Sequence, residues 1–340
     1  MTERRDPIGT GAASGAGMGP IIGSAIGTTR RLVGSHPGMK AIERSIEQLS
    51  GLETTVLIVG ESGTGKELVA RAIHDRGPRA AEPFVGVNCG AFARGLLEDQ
   101  LFGHRKGAFT GALDDREGVF RTAGRGTLFL DEIGEMDLDL QGRLLRAIQE
   151  REVTPLGSNQ PEPWHARLIV ATNRDLDALV EAGRFRGDLL YRINVVQIRI
   201  PPLRERKEDI PALCEHFLDG VGERSGRRKR ISPEARERLL AHDYPGNVRE
   251  LRNAIERACA LGESDIIGPP DLPPQLQEAV PQVISPLSQV EREHLLRALR
   301  LAGGQRKLAA KYLQIDRNRL SRLIKRHGIT TEEIGGSGLN

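Results

Sequence analysis

Residues 55–74 place an apolar run, Thr55-Val56-Leu57-Ile58-Val59, directly before Gly60-Glu61-Ser62-Gly63-Thr64-Gly65-Lys66, and a helical pattern, Lys66–His74, directly after it. No other stretch restricts the fold so tightly. A run of Val, Leu and Ile without polar alternation reads as a strand buried on both faces, as in a parallel sheet covered by helices. Glycine lets the chain turn sharply between strand and helix. Such a turn gathers backbone N–H groups and the positive end of a helix dipole into one small space, which suits phosphate. Gly60, Glu61, Ser62, Gly63, Thr64 and Gly65 would wrap the phosphates of a nucleotide such as ATP, and Lys66 would reach the β/γ oxygens. Glu67 stands where the general pattern has Ser or Thr for magnesium.

Four more apolar runs continue the theme: Phe84-Val85-Gly86-Val87, Thr127-Leu128-Phe129-Leu130, Arg167-Leu168-Ile169-Val170-Ala171 and Val195–Ile200, the last stopped by Pro201-Pro202. Helical stretches between them predict an α/β fold, a parallel sheet with helices on both faces. A first helix spans about Pro37–Leu49, with Met39, Ile42, Ile46 and Leu49 on one face. From about Leu203 to Ala260 the pattern turns all-helical, with candidates Ile210–Gly220, Ser232–Ala241 and Asn247–Ala260. Ser232 before Pro233 is an N-cap followed by proline at N1. No run of 18 apolar residues exists, so nothing reads as a membrane-spanning helix, and there is no apolar signal-peptide core at the N-terminus. Cys89, Cys214 and Cys259 are scattered and odd in number, which suits reduced thiols in a cytoplasm and neither a disulfide frame nor a metal site.

Asp131-Glu132 ends the third strand, 65 residues after Lys66. An Asp there would orient a magnesium ion and the adjacent Glu would polarise an attacking water, the Walker B partner of the Walker A loop. Between the two halves lies Gly107-Ala108-Phe109-Thr110-Gly111-Ala112. Its Phe stands among small residues with no apolar periodicity around it. It reads as the tip of a mobile loop offered to a partner protein or, alternatively, as an aromatic tucked under an ordinary hairpin.

The segments Gly60–Glu67, Leu101–Ala112, Leu128–Gly134 and Tyr244-Pro245-Gly246-Asn247-Val248-Arg249-Glu250-Leu251 together resemble the bacterial enhancer-binding activators of sigma-54 RNA polymerase, which are AAA+ ATPases. The resemblance covers about residues 32–262 and, more loosely, the tail. It implies that a Glu follows the Walker lysine as Glu67 does here. It further implies that Asn88 is a switch residue acting on the Walker B glutamate, that Asn173 is sensor I, and that Arg249 is the sensor II arginine of a helical lid. Arg186 and Arg192 fall at the arginine fingers that a neighbouring protomer supplies to the phosphoryl-transfer site; the alternative for each is a surface salt bridge. Gly107–Ala112 would contact sigma-54, and a second loop lies around Val153–Pro163. The expected organisation is a disordered arm rich in Gly, Ala and Ser (1–30), an AAA+ α/β nucleotide-binding subdomain (31–202), a helical lid (203–262), a proline-rich linker (263–288), a helix-turn-helix domain (289–330) and a tail (331–340).

The net charge of +3 is unevenly spread: residues 289–327 hold eleven Lys/Arg against three Asp/Glu. A basic module on an acidic body points to nucleic acid. Helices are expected at Val290–Leu299, Gln305–Leu313 and Arg317–Arg326. Leu308, Ala309 and Tyr312 face inward from the second, and Leu320, Leu323 and Ile324 from the third. Asp316 is the N-cap of that third helix. This reads as a helix-turn-helix for double-stranded DNA, similar to the Fis-type tail of the same activators. Candidate DNA contacts are Arg306, Lys307, Arg317, Asn318, Arg319, Arg322, Lys325 and Arg326; the alternative is a small bundle that binds protein.

The expected function is an ATP-dependent transcription activator. It binds upstream enhancer sites as a dimer, assembles into a ring such as a hexamer, and remodels sigma-54 polymerase with ATP and Mg2+ (at Asp131) in the bacterial cytoplasm. Two alternatives are a DNA-binding regulator that uses nucleotide only as a ligand, and a general P-loop motor. Only about thirty residues precede the AAA+ module, which points to control by a separate protein or by expression level.

Overall fold

The computed structural model describes residues 32–277 and 287–330. The expected arm and tail, and the stretch 278–286, lie outside the described residues. The chain divides into two compact units, with the boundary after residue 278.

The first unit is built on a five-stranded parallel sheet: β1 Val56–Val59, β2 Phe84–Asn88, β3 Thr127–Asp131, β4 Arg167–Thr172 and β5 Val196–Arg199, in the order β2-β3-β4-β1-β5. Successive side chains of a strand point to opposite faces, and both faces here are apolar. Leu57, Leu128, Leu130, Leu168 and Val170 enter one core. Val56, Ile58, Phe129, Ile169 and Ala171 enter the other. This is why these strands read as continuous apolar runs. The helices α1 (Pro37–Ser50) and α2 (Lys66–Asp75) cover the second face, and Met39, Ile42, Ile46 and Leu49 are all buried. The first face is covered by α3 (Arg94–Phe102), α4 (Leu138–Glu150) and α5 (Gly187–Ile193).

Three helices of the helical subdomain follow: α6 (Ile210–Ser225), α7 (Pro233–Ala241) and α8 (Asn247–Leu261). Ser232 caps α7, its side chain accepting from the Ala235 N–H at 3.2 Å. Of the stretch 263–288 expected to be a linker, the described residues up to 277 pack on the helical subdomain. Ile266–Ile267 pairs in parallel with Arg230–Ile231, and Ile267, Leu272 and Leu276 are buried in the core of the helical subdomain. Pro269 and Pro274 each stand at the start of a short helical turn, where the missing N–H costs nothing. Proline content alone does not separate a linker from a segment docked by its apolar residues.

The second unit holds α9 (Leu287–Leu301), α10 (Arg306–Tyr312) and α11 (Arg317–Arg326) around Leu295, Leu299, Ala309, Leu320 and Ile324. Asp316 caps α11, accepting from the Arg319 N–H at 2.8 Å. Ala309 faces inward as expected, whereas Tyr312, also expected to face inward, is 54% exposed. No helix of the described residues is long and apolar enough to cross a membrane.

Candidate functional site

The glycine-rich turn leaves the C-terminal end of β1, where open α/β sheets bind ligands. Gly63 and Gly65 take φ of +79° and +106°, conformations that side-chain-bearing residues rarely adopt. The helix α2 starts at Lys66 itself. Lys66 is only 5% exposed. Its ammonium donates to the Gly60 and Glu61 carbonyls at 2.9 and 3.3 Å and lies 3.8 Å from Glu132 Oε1. Glu67 turns outward to pair with Arg71.

The acidic pair sits two strands away, at the end of β3. Burial raises the pKa of both Asp131 and Glu132, against the pull of the Lys66 charge. Glu132 Oε2 is buried with no hydrogen-bond partner, and its residue holds a left-handed φ of +55°. An orphaned carboxylate oxygen beside a lysine fits a site meant to receive further groups: a water, or a cation that arrives with phosphates. Among the described residues no three His, Cys, Asp or Glu side chains group as a metal cage.

The other predicted residues are placed as follows. Asn88 lies opposite Asp131 in the β2–β3 register, and its Oδ1 accepts from the Gly90 N–H at 2.8 Å, so it caps its own turn. Asn173 is exposed at the end of β4. Arg249 reaches back to the loop, its Nη1 3.1 Å from Ser62 Oγ. Arg186 forms a two-pronged pair with Asp188 at 3.0 and 2.7 Å. Arg192 is exposed on α5.

Gly107–Ala112 forms the tip of a hairpin rooted in the antiparallel pair Gly103–His104 and Arg116–Glu117. Gly107 and Gly111 have φ of +81° and +104°. Phe109 is 47% exposed and rests edge-on against His104, ring centroids 4.9 Å apart. It is therefore neither free nor tucked away. Buried His104 is anchored through Nδ1 to Asp99 Oδ1, and Asp99 Oδ2 accepts from Arg116 at 2.8 Å. The second loop, expected to be irregular, contains a short antiparallel pair, Glu152–Val153 with Glu162–Pro163. It is tied to the first: Glu162 takes hydrogen bonds from Arg105 and Arg121, and the Arg105 N–H donates to the Leu156 carbonyl at 2.9 Å.

In the second unit Lys307, Arg317, Asn318, Arg319, Arg322, Lys325 and Arg326 are exposed. Arg306 differs: it is partly buried, with its Nε shut off from solvent.

Sequence reasoning gave no role to Arg204, Arg206 and Asn247, which bind the phosphate loop, nor to His104 and Asp99 beneath Phe109. Asn247 and His104 stood inside the segments that carry the resemblance, but their partners are distant in sequence or offer no periodic signal.

The comparisons with known proteins agree along the chain. The sigma-54 interaction domain family matches residues 32–199, the AAA+ ATPase lid domain 204–287, and the Fis family of bacterial regulatory proteins 286–327. The chain is 50% identical over 301 residues to the transcriptional regulatory protein ZraR of Escherichia coli K12, spanning 87% of this chain and 68% of that one. It is 44% identical over 311 residues to the response regulator protein PilR of Pseudomonas aeruginosa, spanning 88% and 70%. The crystal structure of NtrX from Brucella abortus in complex with ATP matches with a TM-score of 0.69 at 32% identity, over 88% of this chain and 70% of that one.

Proposed function

The chain belongs to the sigma-54-dependent transcription activators, with their AAA+ domain, lid and Fis-type DNA-binding tail, and from that premise we propose that it binds upstream DNA and couples ATP hydrolysis to opening of sigma-54 polymerase complexes. The observation that carries this reading is Phe109, half exposed at a hairpin tip inside a nucleotide-binding domain.

Residues 60–67 would hold the triphosphate, as supported by their left-handed glycines and by the NtrX structure with ATP. Lys66 would neutralise the β/γ oxygens. Mg2+, when bound at Asp131, supplies charge neutralisation between the phosphates. Glu132, its carboxylate raised by burial and one oxygen without a partner, suits a group that orients and deprotonates water. Asn88 would act as a switch on Glu132 and Asn173 would sense the γ-phosphate, from the strand ends on either side of β3. Arg186 and Arg192, exposed on one helix and its N-cap, would complete a neighbour's site in a ring of subunits; Arg186 must first leave Asp188. The tail would read DNA as a dimer.

Phe109→Ala tests the output. ATP turnover should persist while open-complex formation on a sigma-54 promoter is lost. Undiminished transcription would refute the role given to Phe109.

A further inference from the structure

The lid grips the phosphate loop at every residue from Glu61 to Thr64, and we infer that Arg204, Arg206 and Asn247 are positioning residues for the phosphate site. This rests on the nucleotide-binding reading above and deepens it.

Asn247 Nδ2 donates to the Glu61 carboxylate and to the Ser62 carbonyl, 3.1 Å each, while its Oδ1 accepts from the Leu203 N–H at 2.8 Å. The Arg249 N–H donates to the Gly63 carbonyl at 3.3 Å. Arg206, buried, donates Nη2 to the Thr64 carbonyl at 3.2 Å. Arg204 forks over the Glu61 carboxylate at 2.7 and 2.8 Å. Lid and loop are in such close approach that a Cβ on Gly63 would lie 2.2 Å from the Gly246 carbonyl oxygen. Arg206 also reaches Met39 of α1, and Asp209 accepts from the N–H groups of Ser35 and His36. The lid's first residues therefore bind both the loop and the entry to α1.

A trans peptide points its C=O and the following N–H in opposite directions. Three consecutive carbonyls, at Ser62, Gly63 and Thr64, are turned to lid donors. The N–H groups of Gly63, Thr64 and Gly65 are thereby turned to the inner side of the loop, where the Thr64 N–H lies 3.4 Å from the Glu61 carbonyl. A row of inward N–H groups is the anion-binding nest itself. The lid supplies the opposite half of its hydrogen bonding, so the nest is set before phosphate arrives. Ordering done in advance is gained as affinity. The Glu61 side chain consequently serves the lid, while its backbone serves the loop.

The test uses the full chain with Asn247→Asp, Arg204→Gln, Glu61→Gln and the Glu61→Gln/Arg204→Gln double variant. Asp in place of Asn keeps the volume, the acceptor for Leu203 and tolerance of the left-handed φ of +52°, but removes both donors. Backbone hydrogen exchange over residues 60–66 is measured without nucleotide, and the Kd for ATP by calorimetry. Asn247→Asp should weaken binding about tenfold or more and speed exchange. Arg204→Gln, at a partly exposed pair, should weaken it about threefold, with the double variant no worse than either single. KM should rise with Kd while kcat at saturating ATP holds. If Asn247→Asp does not fold, Arg204→Gln decides. Parental exchange and Kd in Arg204→Gln, or multiplicative loss in the double variant, would overturn the grip and leave the function standing. Faster exchange in Arg204→Gln beside a parent that binds no ATP would overturn the function instead.

Discussion

His104 is the footing of Phe109, and His104→Ala tests whether that footing transmits the work of the domain. The imidazole makes two interactions that alanine cannot: the bond to Asp99 and the edge-on contact with the Phe109 ring. Asp99 is 4% exposed, so losing one of its partners leaves a carboxylate oxygen under-satisfied, costing about 1–3 kcal/mol. The aromatic contact adds about 0.5–1.5 kcal/mol. The sum is roughly 1.5–4.5 kcal/mol, which for a domain of this size corresponds to a fall in Tm of roughly 3–18 °C. The chain has one tryptophan, Trp164, 2% exposed in the core on the hairpin's side of the sheet. Its fluorescence therefore reports this unit alone. In parallel, ATP turnover should stay within about threefold of the parent, because neither Lys66 nor Glu132 touches the hairpin root, while open-complex formation should fall by about tenfold or more. Two results would refute the reasoning: turnover lost in proportion to open-complex formation, or full open-complex formation from a protein whose Tm has dropped as expected.

Three further outcomes follow from the same geometry. Glu132→Gln keeps the side-chain volume and removes the base, so hydrolysis should fall about 100-fold or more while ATP still binds; calorimetry beside a turnover assay checks both. In the tail, Arg319→Ala, in the first turn of α11, should relax discrimination between sites by about 1–3 kcal/mol, whereas Lys307→Ala on α10 should lower the salt dependence of DNA binding by about one ion; titrations at several salt concentrations separate the two. Hydrogen bonds from Arg204 and Asn247 hold the Glu61 carboxyl down at about 2, below its ordinary 4.5. A depressed carboxylate contributes stability that is complete above 4.5 and lost as pH falls through about 2. Across that window the parent's Tm should fall more steeply with acid than that of Glu61→Gln, by a small margin since the pair is partly exposed; parallel curves would refute the assignment.

How much of this was legible in the sequence depended on whether the signal was local. The central strands were readable because their residues are buried against one of two cores, although the edge strand β5 leaves Gln197 and Arg199 exposed. The third tail helix was readable from the Asp316 cap and the spacing of Leu320 and Ile324, and the chain does form it at Arg317–Arg326. Tyr312 misled because helical phase fixes only which way a residue points, and at the C-terminal end of α10 its side chain stays 54% exposed. The prolines at 269–274 misled because they are compatible with helix starts as well as with linkers. The lid grip was out of reach: Glu61 meets Arg204 and Asn247 across 143 and 186 residues of chain. Charged and amide residues at such spacing carry no periodicity that would mark them as partners.

Connectivity also explains how a Phe so far from the acidic pair in sequence can be physically tied to it. Asn88 is in register with Asp131, and the Cys89 N–H donates to the Asp131 carbonyl at 2.9 Å. A few residues on, α3 begins, with Arg94 paired to Asp137 and Asp139 at the start of α4 and Glu98 paired to Arg143. Its inner face, Leu97, Leu101 and Phe102, lies in the core. Its residue Asp99 holds His104, and His104 holds Phe109. Nine residues of helix span about 14 Å, and a close-packed helix moves as a body because its contacts do not stretch. The connection from Asp131 to the exposed ring thus runs through β2, α3 and the buried Asp99–His104 pair. The hairpin is held from α3 through Asp99, which binds both His104 and Arg116, and from the second loop through the Arg105 contacts to Glu162 and Leu156.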